Sequence, residues 1–411
     1  MTSNGHEGIS QRQTVLICLI FFAITFVIYF LTKEADPTPY NNFILLADAF
    51  LNGRLYLTQD VTWFELVHLG NKHYVVPPPM PAILSLPAVA IWGTSINQML
   101  ISIFFGSLNV SLAFLVTKEI TQNLKAQLWT TTMFGFGTIH WWVASSGSVW
   151  TFSQTVSVTF LFIAILLTLR NRHPLLIGLS VGASYWSRLT TVLSLPFFLI
   201  YTYDRWYQPL KTQSLISRVN IRFLFFLGSG IALFIILNAL YNFARFDTPF
   251  DISYYLIPDI FEEPYYQKGI FDITYIPRHL YYFFLMLPVV LEQPPYIIPH
   301  LDGLAIWITT PAFIYAFRAG IRNKLSLACW VSILLIALVN FSHGTWGFVQ
   351  FGYRFAVDFY PFLFLLTIKG IGNNIKWHHK ILITIGIVVN TWGILMVQKY
   401  GWSVLTIMAN P

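Results

Sequence analysis

Charged residues are scarce in this chain of 411 residues: Lys and Arg number 24, Asp and Glu number 17, and together they make up 10% of the sequence. A soluble globular protein has about 25% charged residues. Apolar residues reach 56%, and the mean hydropathy is +0.62. This composition excludes an ordinary soluble domain, a disordered chain and a nucleic-acid-binding tail. It indicates a protein that spans a membrane several times.

Cysteine is nearly absent, because Cys18 and Cys329 are the only two and lie far apart within apolar runs. A disulfide framework and a cysteine-bound metal are therefore excluded. The ten histidines show no paired metal-ligand spacing, and no glycine-rich phosphate loop occurs. The sequence predicts no cofactor and does not indicate a divalent metal. It gives no support for a nucleotide-sugar or ATP site, which favours a donor carried on a lipid.

Long apolar runs dominate what is present. A bilayer core of about 30 Å requires about 20 helical residues. Eleven segments near that length are predicted to span the membrane, at about 13–32, 97–117, 126–144, 152–169, 174–188, 190–203, 221–242, 304–320, 325–341, 355–371 and 380–398. The predicted fold class is thus all-α, with one polytopic transmembrane domain over residues 1–411. Two long stretches, 33–96 and 243–303, are predicted to be outer loops.

The distribution of charge predicts the orientation of the chain. With the N-terminus in the cytoplasm, 15 of the 24 Lys and Arg residues lie on the cytoplasmic side, as the positive-inside rule requires. Apart from Glu7, Glu119 and Asp204, the other 14 of the 17 acidic residues lie in outer segments. We therefore expect a protein of the cell membrane whose N-terminus is cytoplasmic and whose two long loops face outward.

Two apolar stretches of the outer loops are ambiguous. A span at 77–93 would place Lys118 and Lys125 outside and invert every later loop. This stretch is therefore predicted to be a helix that begins at proline and lies in the membrane interface. Residues 278–296 receive the same interpretation. In the alternative, both stretches cross the membrane and the chain has thirteen spans.

A charged turn is predicted below the outer membrane surface at 187–191. Arg170 and Arg205 both belong on the cytoplasmic side. The chain between them, residues 174–203, must therefore enter the membrane from the cytoplasmic side and return to that side within about 30 residues. Each leg of about 15 residues rises only about 22 Å, less than the apolar core. The guanidinium of Arg188 is costly at that depth unless it lines a wet cavity or meets an anion.

The first outer loop carries a helical pattern at its start. Apolar side chains recur at i, i+3, i+4 and i+7, namely Phe43, Leu46, Ala47 and Phe50, and Gly53 follows as a helix stop. The loop begins with the acids Glu34 and Asp36, and the proline-rich stretch 76–81 follows later. An acid after the first span, a surface helix and a proline-opened helix are thus arranged in succession.

This layout resembles the GT-C superfamily, the polytopic glycosyltransferases that include protein O-mannosyltransferases and the aminoarabinose transferases of lipid A. The stretches that carry the resemblance are 43–53, 76–81, 136–142, 186–188, and 350–354 with Asp358 and Pro361 behind it. The chain departs from the family at one place. Where the family spacing puts an Asp-Glu pair, this sequence reads Pro39-Tyr40-Asn41-Asn42.

The resemblance implies transfer of a sugar from a polyprenyl-phosphate donor to a glycan, lipid or protein acceptor at the outer face, with inversion expected. Such a reaction requires a carboxylate that takes the proton of the acceptor hydroxyl and cations that hold the departing phosphate. Asp36 is the first candidate for the base and Asp48 the second. The candidate phosphate-binding residues are Arg188 and Arg354, with Arg278, His279 and Lys72 as further donors, and the candidate substrate-binding residues are Asn42, Arg54, Trp141 and Tyr353.

Several alternatives stay open at this stage. The loop acids are also explained as solvated side chains. Arg354 is also explained as an anchor at the membrane interface or as the partner of Asp358, four residues on along a helix. Aromatic residues that merit a test for sugar stacking are Trp141, Trp142, Trp150, Tyr254, Tyr255, Tyr265 and Tyr266. As a whole, the chain is alternatively a flippase or secondary transporter for a lipid-linked sugar, or an inactive relative that lacks the Asp-Glu pair. Transporters place their charged residues within the spans, whereas the acids here cluster in the outer loops.

Overall fold

The computed structural model describes residues 9–58, 66–207 and 219–409. Six of its helices are long and apolar enough to cross a membrane by length and composition: α1 (Gln11–Leu31), α4 (Gln98–Ile120), α7 (Val149–Leu169), α11 (Ile221–Phe246), α14 (Lys324–Phe341) and α16 (Trp377–Ala409, bent at Gly401). Side chains of α1 mostly face outward, whereas α7 is buried for most of its length. The prediction of an all-α membrane protein is confirmed.

The other five predicted spans are built from shorter helices. They are α5 (Leu124–Phe136) with α6 (His140–Ser146), α8 (Pro174–Tyr185), α9 (Leu195–Tyr201), α13 (Ile306–Thr309) and α15 (Tyr360–Ile371). Turns of 3-10 helix at Leu189–Ser194, Pro311–Ala319 and Arg354–Phe359 extend three of them, and α10 (Tyr203–Trp206) is a single turn. At about 18 Å, α8 is too short to cross the bilayer core.

Helices α8 and α11 pack closely because glycines lie at their crossing. A Cβ added to Gly178 would come within 2.1 Å of the carbonyl oxygen of Leu227, and one added to Gly230 within 2.5 Å of the backbone nitrogen of Leu179. Small residues at such a crossing let two membrane helices approach backbone to backbone. This close contact holds α8 in position, and α8 leads directly into the turn at Arg188.

The first outer loop contains the two predicted interfacial helices. They are α2 (Asn42–Leu51), followed by Gly53 with φ +68°, and α3 (Met80–Trp92), which begins after consecutive prolines. Between them lies an antiparallel hairpin of β1 (Leu66–Leu69) and β2 (Lys72–Val75), in which Leu66 pairs with Val75.

The second outer loop differs from its prediction. The helix expected over 278–296 is the short α12 (Ile276–Phe284). It ends before Pro288 because proline has no N–H for the carbonyl oxygen of Phe284, four residues earlier, and its ring clashes with that carbonyl. An antiparallel pair of two-residue strands follows, β3 (Val289–Val290) with β4 (Ile297–Ile298). A parallel pair, β5 (Asp302–Leu304) with β6 (Gln350–Gly352), then joins this loop to the segment after α14.

Candidate functional site

A cavity of about 230 Å³ opens at the end of the bundle that the charge pattern predicts to be outside. Three distant parts of the chain form its walls. They are the first outer loop at Pro77 and Pro78, the turn at Arg188, and the second outer loop at Asp251 and Tyr254. The segment from Asn340 to Phe355 closes the remaining side. The loops and the turn that the sequence singled out therefore meet in one place.

Arg188 lies at the wall of this cavity and forms an ion pair with Asp358. Its Nη2 is 2.9 Å from Oδ2 of Asp358, and its Nε is 3.3 Å from both carboxylate oxygens. The Asp358 side chain is fully buried, whereas the Arg188 side chain remains 22% exposed. The sequence argument required a wet cavity or an anion for this guanidinium; the structure places it at a cavity and beside the carboxylate of Asp358.

Two further side chains hold the carboxylate of Asp358 in place. Asn340 donates from Nδ2 at 3.1 Å, and Thr190 donates from Oγ1 at 3.3 Å, both to Oδ2. The alternative pairing of Asp358 with Arg354 is wrong, because residues 354–359 form a 3-10 helix. With three residues per turn, side chains four positions apart point in different directions.

Arg354 lines the same cavity from the segment between Asn340 and Phe355. Its guanidinium carbon lies 5.3 Å from the centroid of the Trp150 ring, and its backbone is held by Gln350 and Gln154, at 3.0 and 2.8 Å. The guanidinium carbons of Arg188 and Arg354 lie 5.7 and 5.6 Å from the centroid of one ring, that of Phe355. Two cations from distant parts of the chain thus converge on one wall.

Replacing Gly347 by alanine is expected to displace Arg354. Gly347 has φ +81°, and a Cβ there would come 2.6 Å from Nε of Arg354. The left-handed backbone costs an alanine about 1–2 kcal/mol, so the melting temperature should fall. Because the guanidinium must also move, the apparent affinity for a phosphate-bearing ligand should fall, which a binding titration on the purified protein would measure.

Gly320→Ala is the matched control for this substitution. Gly320 has φ +65°, but a Cβ there would meet nothing within 4 Å. It should therefore lower the melting temperature and leave the ligand affinity unchanged. Equal ligand affinity in the two variants would show that Gly347 does not position Arg354.

Asp251 provides a carboxylate at the cavity wall. Ser253 donates from its backbone nitrogen and its hydroxyl to Oδ1 of Asp251, at 3.1 and 2.5 Å. Among residues 9–58, 66–207 and 219–409, no hydrogen bond ends on Oδ2. Oδ1 thus orients the carboxylate. Asp251 was not a candidate at the sequence level; its position in the acidic second loop was the only available signal.

A group of buried and half-buried side chains behind the cavity wall includes three predicted site residues, His279, Tyr353 and Arg278. His279 bonds through Nε2 to the carbonyl oxygen of His343 at 2.8 Å and through Nδ1 to the hydroxyl of Tyr353 at 2.7 Å. Arg278 donates to the carbonyl oxygen of Gly344 and lies over the Trp346 ring. Because a carbonyl oxygen only accepts, His279 carries its proton on Nε2. Burial lowers the pKa of His279 to about 3, so it is neutral.

The remaining predicted site residues lie outside the cavity. Asp36 is exposed after α1, and Asp48 is half-buried on α2. Lys72 is exposed on β2 with its ammonium 4.9 Å from the Tyr56 ring centroid. The others in this group are Asn42, which is buried, Trp141, whose Nε1 donates to Thr32, and Arg54, which lines a separate groove. Their proposed roles stay predictions.

Aromatic side chains form much of the cavity wall. Of those singled out from the sequence, Trp150, Tyr254, Tyr255 and Tyr266 line the cavity. Trp142 lines a small second pocket beside Glu34, and Tyr265 packs on Trp346. Within the part of the chain that the structure describes, no group of three or more His, Cys, Asp or Glu side chains is arranged to hold a metal ion.

Comparison with known proteins identifies the fold. No protein-family model matches the sequence, and no curated protein matches it. The crystal structure of ArnT from Cupriavidus metallidurans bound to undecaprenyl phosphate is similar, with a TM-score of 0.52 and 11% sequence identity, over 88% of this chain and 60% of that chain. The present chain thus spans 60% of the length of that structure.

Two other crystal structures are more distant. Apo ArnT from the same organism has a TM-score of 0.47 and 12% identity, over 86% of this chain and 59% of that chain. The Archaeoglobus fulgidus oligosaccharyltransferase in complex with Zn and sulfate has a TM-score of 0.48 and 15% identity, over 92% of this chain and 52% of that chain. The fold assignment rests on the first structure, which is an aminoarabinose transferase of the superfamily that the sequence resembles. This chain therefore has the fold of the GT-C glycosyltransferases.

Proposed function

We propose that this protein is a membrane glycosyltransferase that moves a sugar from a polyprenyl-phosphate donor to the hydroxyl group of a glycan, lipid or protein acceptor. One observation carries the proposal: the guanidinium groups of Arg188 and Arg354 reach the cavity that the Asp251 carboxylate also lines. Cations for a phosphate and a carboxylate for a hydroxyl proton are the groups that this reaction requires. The fold of ArnT, which was crystallised with undecaprenyl phosphate, supports the choice of donor.

Arg188 and Arg354 are proposed to bind the donor phosphate. A guanidinium donates two parallel hydrogen bonds to phosphate oxygens, and it stays charged at any physiological pH. When the bond between the anomeric carbon and the phosphate oxygen breaks, its electron pair goes to that oxygen. The phosphate then gains a negative charge, which both guanidinium groups stabilise. Asp358 acts behind Arg188 as a positioning residue, since it orients the guanidinium without lining the cavity.

Asp251 is proposed to act as the general base. Its carboxylate takes the proton of the acceptor hydroxyl as the hydroxyl oxygen attacks the anomeric carbon. Attack opposite the departing phosphate inverts the configuration at that carbon. The resemblance assigns the base to Asp36 or Asp48 instead, and these two stay as alternatives that mutagenesis separates from Asp251.

An apolar groove beside the cavity is proposed to hold the lipid chain of the donor. It has a volume of about 400 Å³ and is lined by Phe50, Ile83 and Leu237, with Arg54 among its polar residues. Trp186 lies in this groove, and Ser187 and Arg188, the next two residues of the chain, line the cavity. A phosphate at Arg188 therefore lies close to a surface that suits a hydrocarbon chain.

The charge pattern supports a site on the extracytoplasmic face of the cell membrane. The cavity carboxylate, Asp251, belongs to the second outer loop, and much of the groove is formed by the first. Both loops are rich in acids, whereas Lys and Arg collect at the opposite end of the helices. We propose that the N-terminus is cytoplasmic and that the donor reaches the cavity from the outer leaflet. A tag after Asp259 that is accessible only from outside intact cells would support this orientation.

The activity is tested with the purified protein in lipid nanodiscs and a radiolabelled polyprenyl-phosphate sugar. A glycosyltransferase releases free polyprenyl phosphate when an acceptor is added. Movement of intact donor across the bilayer of a sealed vesicle without release of polyprenyl phosphate would favour the flippase interpretation. Donor binding without either outcome would favour an inactive relative.

A further inference from the structure

His343 is a titratable group of the cavity to which the proposed reaction assigns no role. It lines the cavity from the segment after α14, together with Arg188 and Arg354. Its neighbour Gly344 accepts a hydrogen bond from a third guanidinium, that of Arg278. A partly buried imidazole thus lies among three cations.

The backbone at His343 is fixed on both sides. Its carbonyl oxygen accepts from Nε2 of the buried His279 at 2.8 Å. Phe271 of the second outer loop forms an isolated antiparallel bridge with it. The ring of His343 also packs edge-on against Tyr254 and Tyr266, with centroids 5.7 Å apart in both cases. The imidazole is thus held at the wall on which the two cavity arginines converge.

We propose that His343 is a third ligand of the donor phosphate and that it takes up one proton when the phosphate enters the cavity. This inference rests on the proposed function, since it assumes a phosphate at Arg188 and Arg354. An anion between the two guanidinium groups cancels their repulsion of a charged imidazole and attracts that charge directly. The proton comes from the solvent and stays on the ring, so no covalent bond changes.

The electrostatic surroundings of His343 agree with this coupling. Burial lowers the pKa of His343 to about 4, and Arg188, Arg354 and Arg278 lower it as well, against a backbone hydrogen bond at Thr345 that raises it. The imidazole is therefore neutral near pH 6 when no anion is bound. A bound phosphate raises this pKa, so the affinity should increase as the pH falls toward 4 and should level off below it.

Other ionisable groups face His343 from the surrounding elements. They are Arg188 and Asp358 near the turn after α8, Arg278 and His279 on α12, Asp251, Tyr254, Tyr266 and Asp272 in the second outer loop, and Tyr353 and Arg354 after β6. Asp358 is bound to Arg188, and His279 is held neutral by burial. A test must therefore isolate the contribution of His343 by substitution.

The test is a calorimetric titration of the full-length protein in nanodiscs with farnesyl methyl phosphate. This phosphate diester carries one negative charge across the range from pH 4.5 to 6.5, so that the probe does not titrate. The wild type should bind more tightly by up to about tenfold for each unit by which the pH falls, the limit for one proton. Titrations in two buffers of different ionisation enthalpy should also show proton uptake.

His343→Gln keeps a hydrogen-bonding side chain but cannot carry the charge, so its affinity should change less than about twofold over the same range. His300→Gln is the matched control, because His300 pairs with Asp302 outside the cavity, and it should retain the pH dependence of the wild type. An unchanged pH dependence in His343→Gln, with Arg188→Gln still weakening binding, overturns the role of His343 alone. Failure of the wild type to bind the diester overturns the phosphate site as well.

Discussion

Asp251→Asn is expected to lower the kcat of sugar transfer by about 10²- to 10⁴-fold, the usual contribution of a general base. Asparagine has nearly the same shape and still accepts the hydrogen bonds of Ser253, so the fold should persist. Since the phosphate contacts are unaffected, the KM for the donor should change little. Initial rates of polyprenyl phosphate release over a range of donor concentrations measure both constants.

Two further substitutions decide which carboxylate is the base. Asp36→Asn and Asp48→Asn change residues that lie outside the cavity, and both are expected to retain most of the wild-type rate. Ser253→Ala, which removes one of the hydrogen bonds that orient Asp251, should have an intermediate effect. A large loss of kcat in Asp36→Asn together with near-normal kcat in Asp251→Asn would return the base to the residue that the resemblance implies.

Arg188→Gln is expected to lower kcat/KM by about 10²- to 10³-fold, because the phosphate loses a cation in the transition state. The substitution also leaves the buried carboxylate of Asp358 without its guanidinium. Breaking a buried ion pair by removing one partner costs about 3–5 kcal/mol, and Asn340 and Thr190 still donate to this carboxylate, so the lower end is expected. Thermal unfolding in detergent and donor kinetics therefore both need to be measured.

The double variant Arg188→Gln with Asp358→Asn separates stability from catalysis. It removes the unpaired charge, so the melting temperature should recover toward that of the wild type. The rate should not recover, since the phosphate still lacks its cation. Recovery of activity together with stability would show that Arg188 serves the fold and not the donor.

The helical architecture of the chain was largely readable from the sequence. Hydropathy identified the segments of all six long apolar helices among the described residues. The stretch 77–93, which charge predicts not to be a span, contains the 13-residue helix α3. The breaks within five of the predicted spans were less visible, because helices that end inside a protein are stabilised by tertiary contacts. At Leu189–Ser194 the turn depends on the ion pair between Arg188 and Asp358, which are 170 residues apart.

The candidate site was predictable in part. Arg188 was found because a charge in a short membrane excursion is costly unless it has a function. Asp251 and His343 were missed, because a single acid in an acidic loop and a single histidine after a span have no local pattern. Only the packing of the second outer loop against the end of α14 brings them to the cavity. The partner of Asp358 was missed for the same reason.

A structure of the protein in nanodiscs with bound undecaprenyl phosphate would test the account most directly. We expect the phosphate to lie within hydrogen-bonding distance of both Arg188 and Arg354, with Asp251 facing the side from which an acceptor hydroxyl would approach. A phosphate bound at Lys72 or elsewhere, with both guanidinium groups out of reach, would contradict the proposal that this cavity separates a sugar from its lipid carrier.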